Sequence, residues 1–206
     1  MKVKLCGFSE ELSLRSAIDC GADFVGFVFC EKSPRNISLT RSQTLGAMVP
    51  SHVAKVAVVV DESLENLEKI AQSLQPQYFQ LHGSENLERV LVIKKHFPNI
   101  KIIKAFGVAT KSDLEQSLDF IDVADIFLFD NIKSGSGKSF DFEILQNFSC
   151  KKNWFLSGGI NINNIEEALK TTGAKMVDVS SGIEKERGKK SSDLIKEFMQ
   201  KAKNVN

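Results

Sequence analysis

Short apolar runs and stretches of helical spacing alternate along the whole chain. The first run predicts a strand over 3–6. Ser9 then caps a helix with Leu12, Ala17 and Ile18 as its apolar stripe and Gly21 as its stop. Residues 22–29 follow as a strand rich in Val and Phe. A polar loop over 30–38 leads to a helix over 40–48. The nearly continuous apolar run 53–60 predicts a strand buried on both faces. Leu64, Leu67, Ile70, Ala71 and Leu74 then mark a helix beginning at Ser63. The second half repeats the alternation, with strands over 77–81, 100–106, 125–130, 154–157 and 176–180. Helices are expected over 85–96, 111–120, 142–147, 164–171 (capped by Asn161) and 192–203.

That makes eight strand–helix units in series, with no linker, composition shift or low-complexity segment between them. Such alternation with buried strands implies a parallel sheet covered by helices. An open doubly wound sheet would carry a Gly-rich dinucleotide fingerprint after its first strand, and Cys6-Gly7-Phe8-Ser9 is not one. The pattern therefore predicts an α/β fold, a single (β/α)₈ TIM barrel spanning 1–206.

Composition narrows the function classes. The 206 residues carry a net charge of +1 with acids and bases interspersed, which gives no argument for a nucleic-acid or membrane partner. No apolar run reaches the ~18 residues of a membrane span, and the start reads as a strand rather than a signal peptide. The four cysteines lack metal-ligand spacing. Reduced thiols in the cytoplasm are the expectation, with no metal site.

In a barrel of this type the chemistry lies at the C-terminal strand ends. Those ends hold Cys6, His82, Asp130, Ser157-Gly158-Gly159 and Ser180-Ser181-Gly182, with Arg35 in the second loop. The last two stretches follow strands seven and eight, where backbone N–H groups commonly bind phosphate. A lone Gly-Gly would only make a tight turn; two such loops at these places favour an anion. Strand parity puts Lys2, Lys4 and Cys6 on the inner face and Val3 and Leu5 on the outer one. A neighbouring ammonium lowers a thiol pKa, so Lys4 is expected to raise the thiolate fraction of Cys6. Asp178, on the strand that closes the barrel against the first, is the expected partner of Lys4. Asp130 shares parity with Leu128 and Ile126, so it fits either an inward-facing acid or a loop cap. His82 fits a strand-end histidine or a substrate contact, and Arg35 a solvated cation or a bidentate carboxylate ligand. Cys20, Cys30 and Cys150 read as structural.

Taken together, the motifs resemble the phosphoribosylanthranilate isomerase family, which acts in tryptophan synthesis. The matching stretches are Lys4-Leu5-Cys6-Gly7, Gly26-Phe27-Val28-Phe29, Ser33-Pro34-Arg35 and Gln80-Leu81-His82-Gly83. They continue with Leu128-Phe129-Asp130, Gly135-Ser136-Gly137-Lys138, Leu156-Ser157-Gly158-Gly159 and Val177-Asp178-Val179-Ser180-Ser181-Gly182. The resemblance spans essentially the whole chain and implies a (β/α)₈ barrel. It also implies Cys6 as general base, Asp130 as general acid and Arg35 as the holder of the anthranilate carboxylate. The Gly/Ser loops would form the phosphate site, and Asp178 would be a polar residue near the sugar. The reaction it implies is an Amadori rearrangement of a phosphorylated aminosugar, without cofactor, by a monomer or homodimer. The sequence departs from the family pattern at a short loop after Asp130 and at Ser191, where the family usually has an acidic residue. A histidine-pathway isomerase resembles a two-aspartate design and would carry a carboxylate in place of Cys6. A phosphate-binding barrel without catalysis would not need both Cys6 and Asp130.

Overall fold

The protein, described from a computed structural model over residues 1–131 and 141–205, is a closed barrel of eight parallel strands. In order these are β1 (Lys2–Cys6), β2 (Phe24–Phe29), β3 (Ala54–Val59), β4 (Tyr78–Leu81), β5 (Lys101–Val108), β6 (Ile126–Asn131), β7 (Asn153–Leu156) and β8 (Met176–Val179). Each pairs with the next, and β8 returns to β1 with Lys4 beside Asp178. Around them run α1 (Glu11–Asp19), α2 (Leu39–Ala47), α3 (Leu64–Leu74), α4 (Leu87–His96), α5 (Lys111–Ser117), α6 (Ile165–Thr172) and α7 (Ser192–Asn204).

Two apolar layers follow from the period of two along each strand. Val3, Leu5, Val25, Phe27, Val177 and Val179 face the helices. Cys6, Phe24, Val28, Val58, Leu128, Phe155 and Met176 fill the barrel. Phe24 closes the lower interior by meeting Tyr78 and Phe155 edge-on, with centroids 5.6 and 5.2 Å away. Both faces of the strands are dry, which is why they read as apolar runs rather than as alternating ones.

Several helix ends form where a side-chain oxygen meets an orphan N–H. Ser38, Ser63, Asn86 and Ser191 each accept from the N–H three residues on, a bond typically worth about 1 kcal/mol. Ser191 thus does for α7 what a carboxylate would do at that position, because Ser and Asp are comparable caps.

The structure corrects several boundaries. Ser9 does not cap α1; Glu10 occupies that position, and the Ser9 carbonyl instead accepts from Arg41 Nε. Asn164, not Asn161, holds the cap position of α6, while Asn161 Oδ1 accepts from the Asn163 N–H. The expected fifth helix tightens into a 3-10 turn over Leu118–Phe120, and the short sixth is a single 3-10 turn, Phe142–Leu145. One element was not expected at all, an antiparallel hairpin of β9 (Glu184–Glu186) and β10 (Lys189–Lys190). The Gly135-Ser136-Gly137-Lys138 motif and most of the short loop after Asp130 lie outside the described residues. Among the described residues, no helix is long and apolar enough to cross a membrane.

Candidate active site

The C-terminal rim of the barrel gathers buried charge. At its centre is Cys6, the last residue of β1, buried and free. It fits because its register partner on β2 is Gly26. A Cβ on Gly26 would lie 2.6 Å from Cys6 Sγ, so a side chain on β2 would displace the sulfur. That is why a glycine interrupts a strand otherwise made of Phe and Val.

One residue-pair below, Lys4 is fully buried and its ammonium donates to Asp178 Oδ1 at 2.8 Å. Asp178 Oδ2 accepts from the Ser157 hydroxyl at 3.2 Å. Burial opposes the charged form of Lys4, but Asp178 and Cys6 overcome it and hold the ammonium above its ordinary pKa. The expected Lys4–Asp178 pair is therefore present.

The expected pull of Lys4 on the thiol is present as well, but burial outweighs it. Burial pushes Cys6 above its ordinary value; Lys4 and Lys190 pull it down, Asp178 pushes it up, and burial wins. A buried thiolate loses more solvation than the adjacent ammonium returns while that ammonium is already shared with a carboxylate. The balance holds the Cys6 pKa above that of an ordinary thiol.

On the next face, Asp130 closes the inner side of β6 above Ile126 and Leu128. Its Oδ1 accepts from the Asn131 N–H at 2.7 Å, and Oδ2 lies 3.3 Å from His82 Nε2. His82 Nδ1 in turn meets the Gln80 side-chain amide at 2.8 Å. With the amide nitrogen as donor, His82 Nε2–H points at a carboxylate. Gln80 Oε1 is then buried without a partner. Turning the amide over would pair Oε1 with Nδ1–H and leave Nε2 to accept from the protonated acid, so the pair can serve either form of Asp130.

The two Gly/Ser loops lie side by side, joined by a parallel bridge from Asn161 to Gly182. Gly182 must be glycine because an added Cβ would run into the Ile160 carbonyl. Gly158 and Gly159 both have positive φ, 86° and 76°, and an added Cβ on Gly158 would lie 2.8 Å from the Asn131 nitrogen. That loop therefore packs against the end of β6 that carries Asp130. The space beside Gly159 is open, and Asn161 and Asn164 both donate to its carbonyl at 3.0 Å. The Ser180 hydroxyl donates to the Cys6 carbonyl at 3.0 Å, tying the eighth-strand loop to the first strand end, and Ser181 is exposed.

Arg35 lies across Gly7, whose φ of 89° and missing Cβ make room for it. Its guanidinium forks onto Glu184 of the hairpin, Nε to Oε1 at 2.6 Å and Nη2 to Oε2 at 3.0 Å. Glu184 also receives Lys190 Nζ at 2.7 Å, and the same ammonium donates to the Ser180 carbonyl and hydroxyl. Burial works against ionisation of Glu184, yet bonds from Arg35 and Lys190 outweigh it and bring its pKa to about 2. Glu184, Lys190, Gly26 and Gln80 were not singled out from sequence for roles at the site. The one-sided Gly in a Phe/Val strand was the available signal for Gly26; two charged residues in a polar stretch give none. Among the described residues, no group of three or more His, Cys, Asp or Glu side chains could hold a metal ion.

A (β/α)₈ barrel with a thiol, a carboxyl and two facing Gly/Ser loops on one rim belongs to the class of barrel enzymes that work at C-terminal strand ends. Comparison with known proteins narrows the class. Residues 3–201 match the family model of N-(5'-phosphoribosyl)anthranilate (PRA) isomerase. An N-(5'-phosphoribosyl)anthranilate isomerase of Zymomonas mobilis is 40% identical over 97% of both chains. One of Rhodopseudomonas palustris is 41% identical over 98% of this chain and 97% of its own. The crystal structure of phosphoribosyl anthranilate isomerase from Thermotoga maritima superposes with a TM-score of 0.90 at 35% identity over 100% of both chains. A phosphoribosyl anthranilate isomerase in complex with reduced 1-(o-carboxyphenylamino)-1-deoxyribulose 5-phosphate does so at 0.86 and 33%, also over 100% of both. The chain belongs to the PRA isomerase family.

Proposed function

We propose that this enzyme converts N-(5'-phosphoribosyl)anthranilate to 1-(2-carboxyphenylamino)-1-deoxyribulose 5-phosphate in tryptophan biosynthesis, with Asp130 as general acid and Cys6 as general base. The observation that carries the assignment is a buried thiol and a hydrogen-bonded carboxyl on the inner rim of a PRA isomerase barrel.

The substrate phosphate rests on the paired loops Ser157-Gly158-Gly159 and Ser180-Ser181-Gly182, and its carboxylate on Arg35. Protonated Asp130 donates to the furanose ring oxygen while the anthranilate nitrogen lone pair breaks the C1–O bond, giving an open-chain iminium. The Asn131 N–H and His82 stabilise the carboxylate left behind. Cys6, as the thiolate formed once its own proton has passed to solvent, then removes the C2 proton. The C–H electrons form a C1–C2 double bond and neutralise the iminium. The resulting enolamine loses its O2 proton and gains one at C1 to become the ketone.

The raised pKa of the resting thiol fits this order. The iminium brings a positive charge to join Lys4 and Lys190 around the sulfur, and Coulomb attraction in a dry site favours the thiolate at the step that needs it. Asp178 keeps Lys4 charged and in place. The Thermotoga maritima relative is described both as a dimer and as monomers generated from it, and we extend that choice of monomer or homodimer to this chain.

The test is a fluorescence assay of phosphoribosylanthranilate consumption. Cys6→Ala and Asp130→Asn should each lower kcat by roughly 10²- to 10⁴-fold, the usual range for acid–base catalysis. Wild-type turnover in either variant would overturn its role.

A further inference from the structure

The hairpin β9–β10 meets the loop that carries Arg35 at two places. At its turn, Gly188 (φ 86°) lies so close to Pro34 that an added Cβ would come within 2.7 Å of the Pro34 carbonyl oxygen. At its base, Glu184 grips the Arg35 guanidinium through both carboxylate oxygens. Glu184 is itself fixed from behind by Lys190, whose ammonium also holds the Ser180 carbonyl and hydroxyl. One chain of charge-assisted bonds thus runs from the loop proposed for the substrate phosphate to the cation proposed for its carboxylate.

A guanidinium presents two edges that can each take a carboxylate in a fork. Glu184 uses the Nε–Nη2 edge. The Nη1–Nη2 edge keeps its donors, and with one edge clamped the plane of the group is fixed. Arg35 alone would be a long side chain with considerable rotamer freedom to lose on binding. We infer that Glu184 is a positioning residue: it clamps one edge of Arg35 so that the other meets the aromatic carboxylate of the substrate already oriented, in register with the Ser180 loop. The inference rests on the reading of Arg35 as the carboxylate holder. Its consequence is specificity, because a ligand without the carboxylate gains nothing from the clamp.

The test compares two probes bound to the full chain by calorimetry: reduced 1-(o-carboxyphenylamino)-1-deoxyribulose 5-phosphate, and its phenylamino counterpart without the carboxylate. Glu184→Gln keeps the side-chain volume and removes the charge. It should weaken the carboxylated probe by roughly 10-fold or more, in line with loss of a charged hydrogen bond, and leave the other probe essentially unchanged. In an Arg35→Ala background, Glu184→Gln should add no further loss. Equal weakening of both probes would make the hairpin a scaffold only and overturn the inference, as would losses that multiply in the double variant. If Arg35→Ala keeps the wild-type preference for the carboxylated probe, the Arg35 reading itself falls and takes this one with it. Melting temperatures confirm that the variants are folded. Should Glu184→Gln not fold, Glu184→Asp, which keeps the charge but shortens the reach, is put through the same comparison with the same expected and overturning outcomes.

Discussion

The two mouths of the barrel differ in how they treat charge. At the N-terminal mouth a hollow of about 450 Å³ is lined by Lys2, Lys101, Lys175, Phe24 and Tyr78 among others. Its lysines are exposed, and the ammonium groups of Lys2 and Lys101 lie near the Phe24 and Tyr78 rings at 6.0 and 5.9 Å. At the C-terminal mouth Lys4, Lys190 and Asp178 are each no more than 5% exposed, and each sits in a chain of ion pairs. Solvated lysines around a hollow cost the fold little. Desolvated charges cost several kcal/mol per ion unless they are paired, so their collection on one rim marks where the molecule has spent stability. Space alone does not identify a site; buried charge with directed partners is the better guide.

The largest effect is expected at Lys4. Lys4→Met would leave Asp178 buried without its cation, and loss of one partner of a buried pair typically costs about 3–5 kcal/mol. Denaturant titration should show that loss, and the Cys6 thiol should become still harder to ionise. Stability within a few tenths of a kcal/mol of wild type would contradict the account of the pair. Next comes Gly26→Ala, whose Cβ has no room beside Cys6 Sγ. It should lower kcat by an order of magnitude or more through the displaced sulfur, with a smaller change in KM; an unchanged kcat would count against the assigned sulfur position.

Two pH effects sharpen the same contrast. Glu184 has a folded-state pKa of about 2 against an ordinary 4.5. A depressed carboxyl pKa stabilises the fold above the unfolded value and ceases to do so as pH falls towards the folded one. Wild-type stability should therefore drop between about pH 4.5 and 2, and Glu184→Gln should flatten that slope. In the ligand-free protein Cys6 should react with iodoacetamide more slowly at neutral pH than a free cysteine does, and faster as pH rises. The smallest effect belongs to the other mouth. Lys2→Ala and Lys175→Ala should each leave kcat unchanged and stability within about 0.5 kcal/mol.

The barrel and half of its rim were readable from sequence for one reason: strands buried on both faces leave apolar runs, and parity then fixes which side chain points inward. That argument placed Cys6 and Lys4 on the inner face, allowed Asp130 to be either an inward-facing acid or a loop cap, and paired Lys4 with Asp178. It failed where structure comes from contacts distant in sequence. The hairpin from Glu184 to Lys190 has no hydrophobic period, since its strands are held by ions and by Gly188 against Pro34. The pull of Lys4 on Cys6 was legible but the burial that outweighs it was not, because a sequence shows that an ammonium is near but not how deeply the thiol lies. Helix starts shifted by a residue or more for a similar reason: Ser9 has capping chemistry, but its carbonyl is occupied by Arg41.

The central claim is a division of labour, with Asp130 opening the ring and Cys6 taking the C2 proton. Single-turnover kinetics on substrate deuterated at the ribose C2 test it most directly. Cys6→Ser should slow proton removal and show a primary isotope effect, while Asp130→Asn should make ring opening limiting and show almost none. An isotope effect in Asp130→Asn as large as in Cys6→Ser, or its absence from Cys6→Ser, would contradict the assignment.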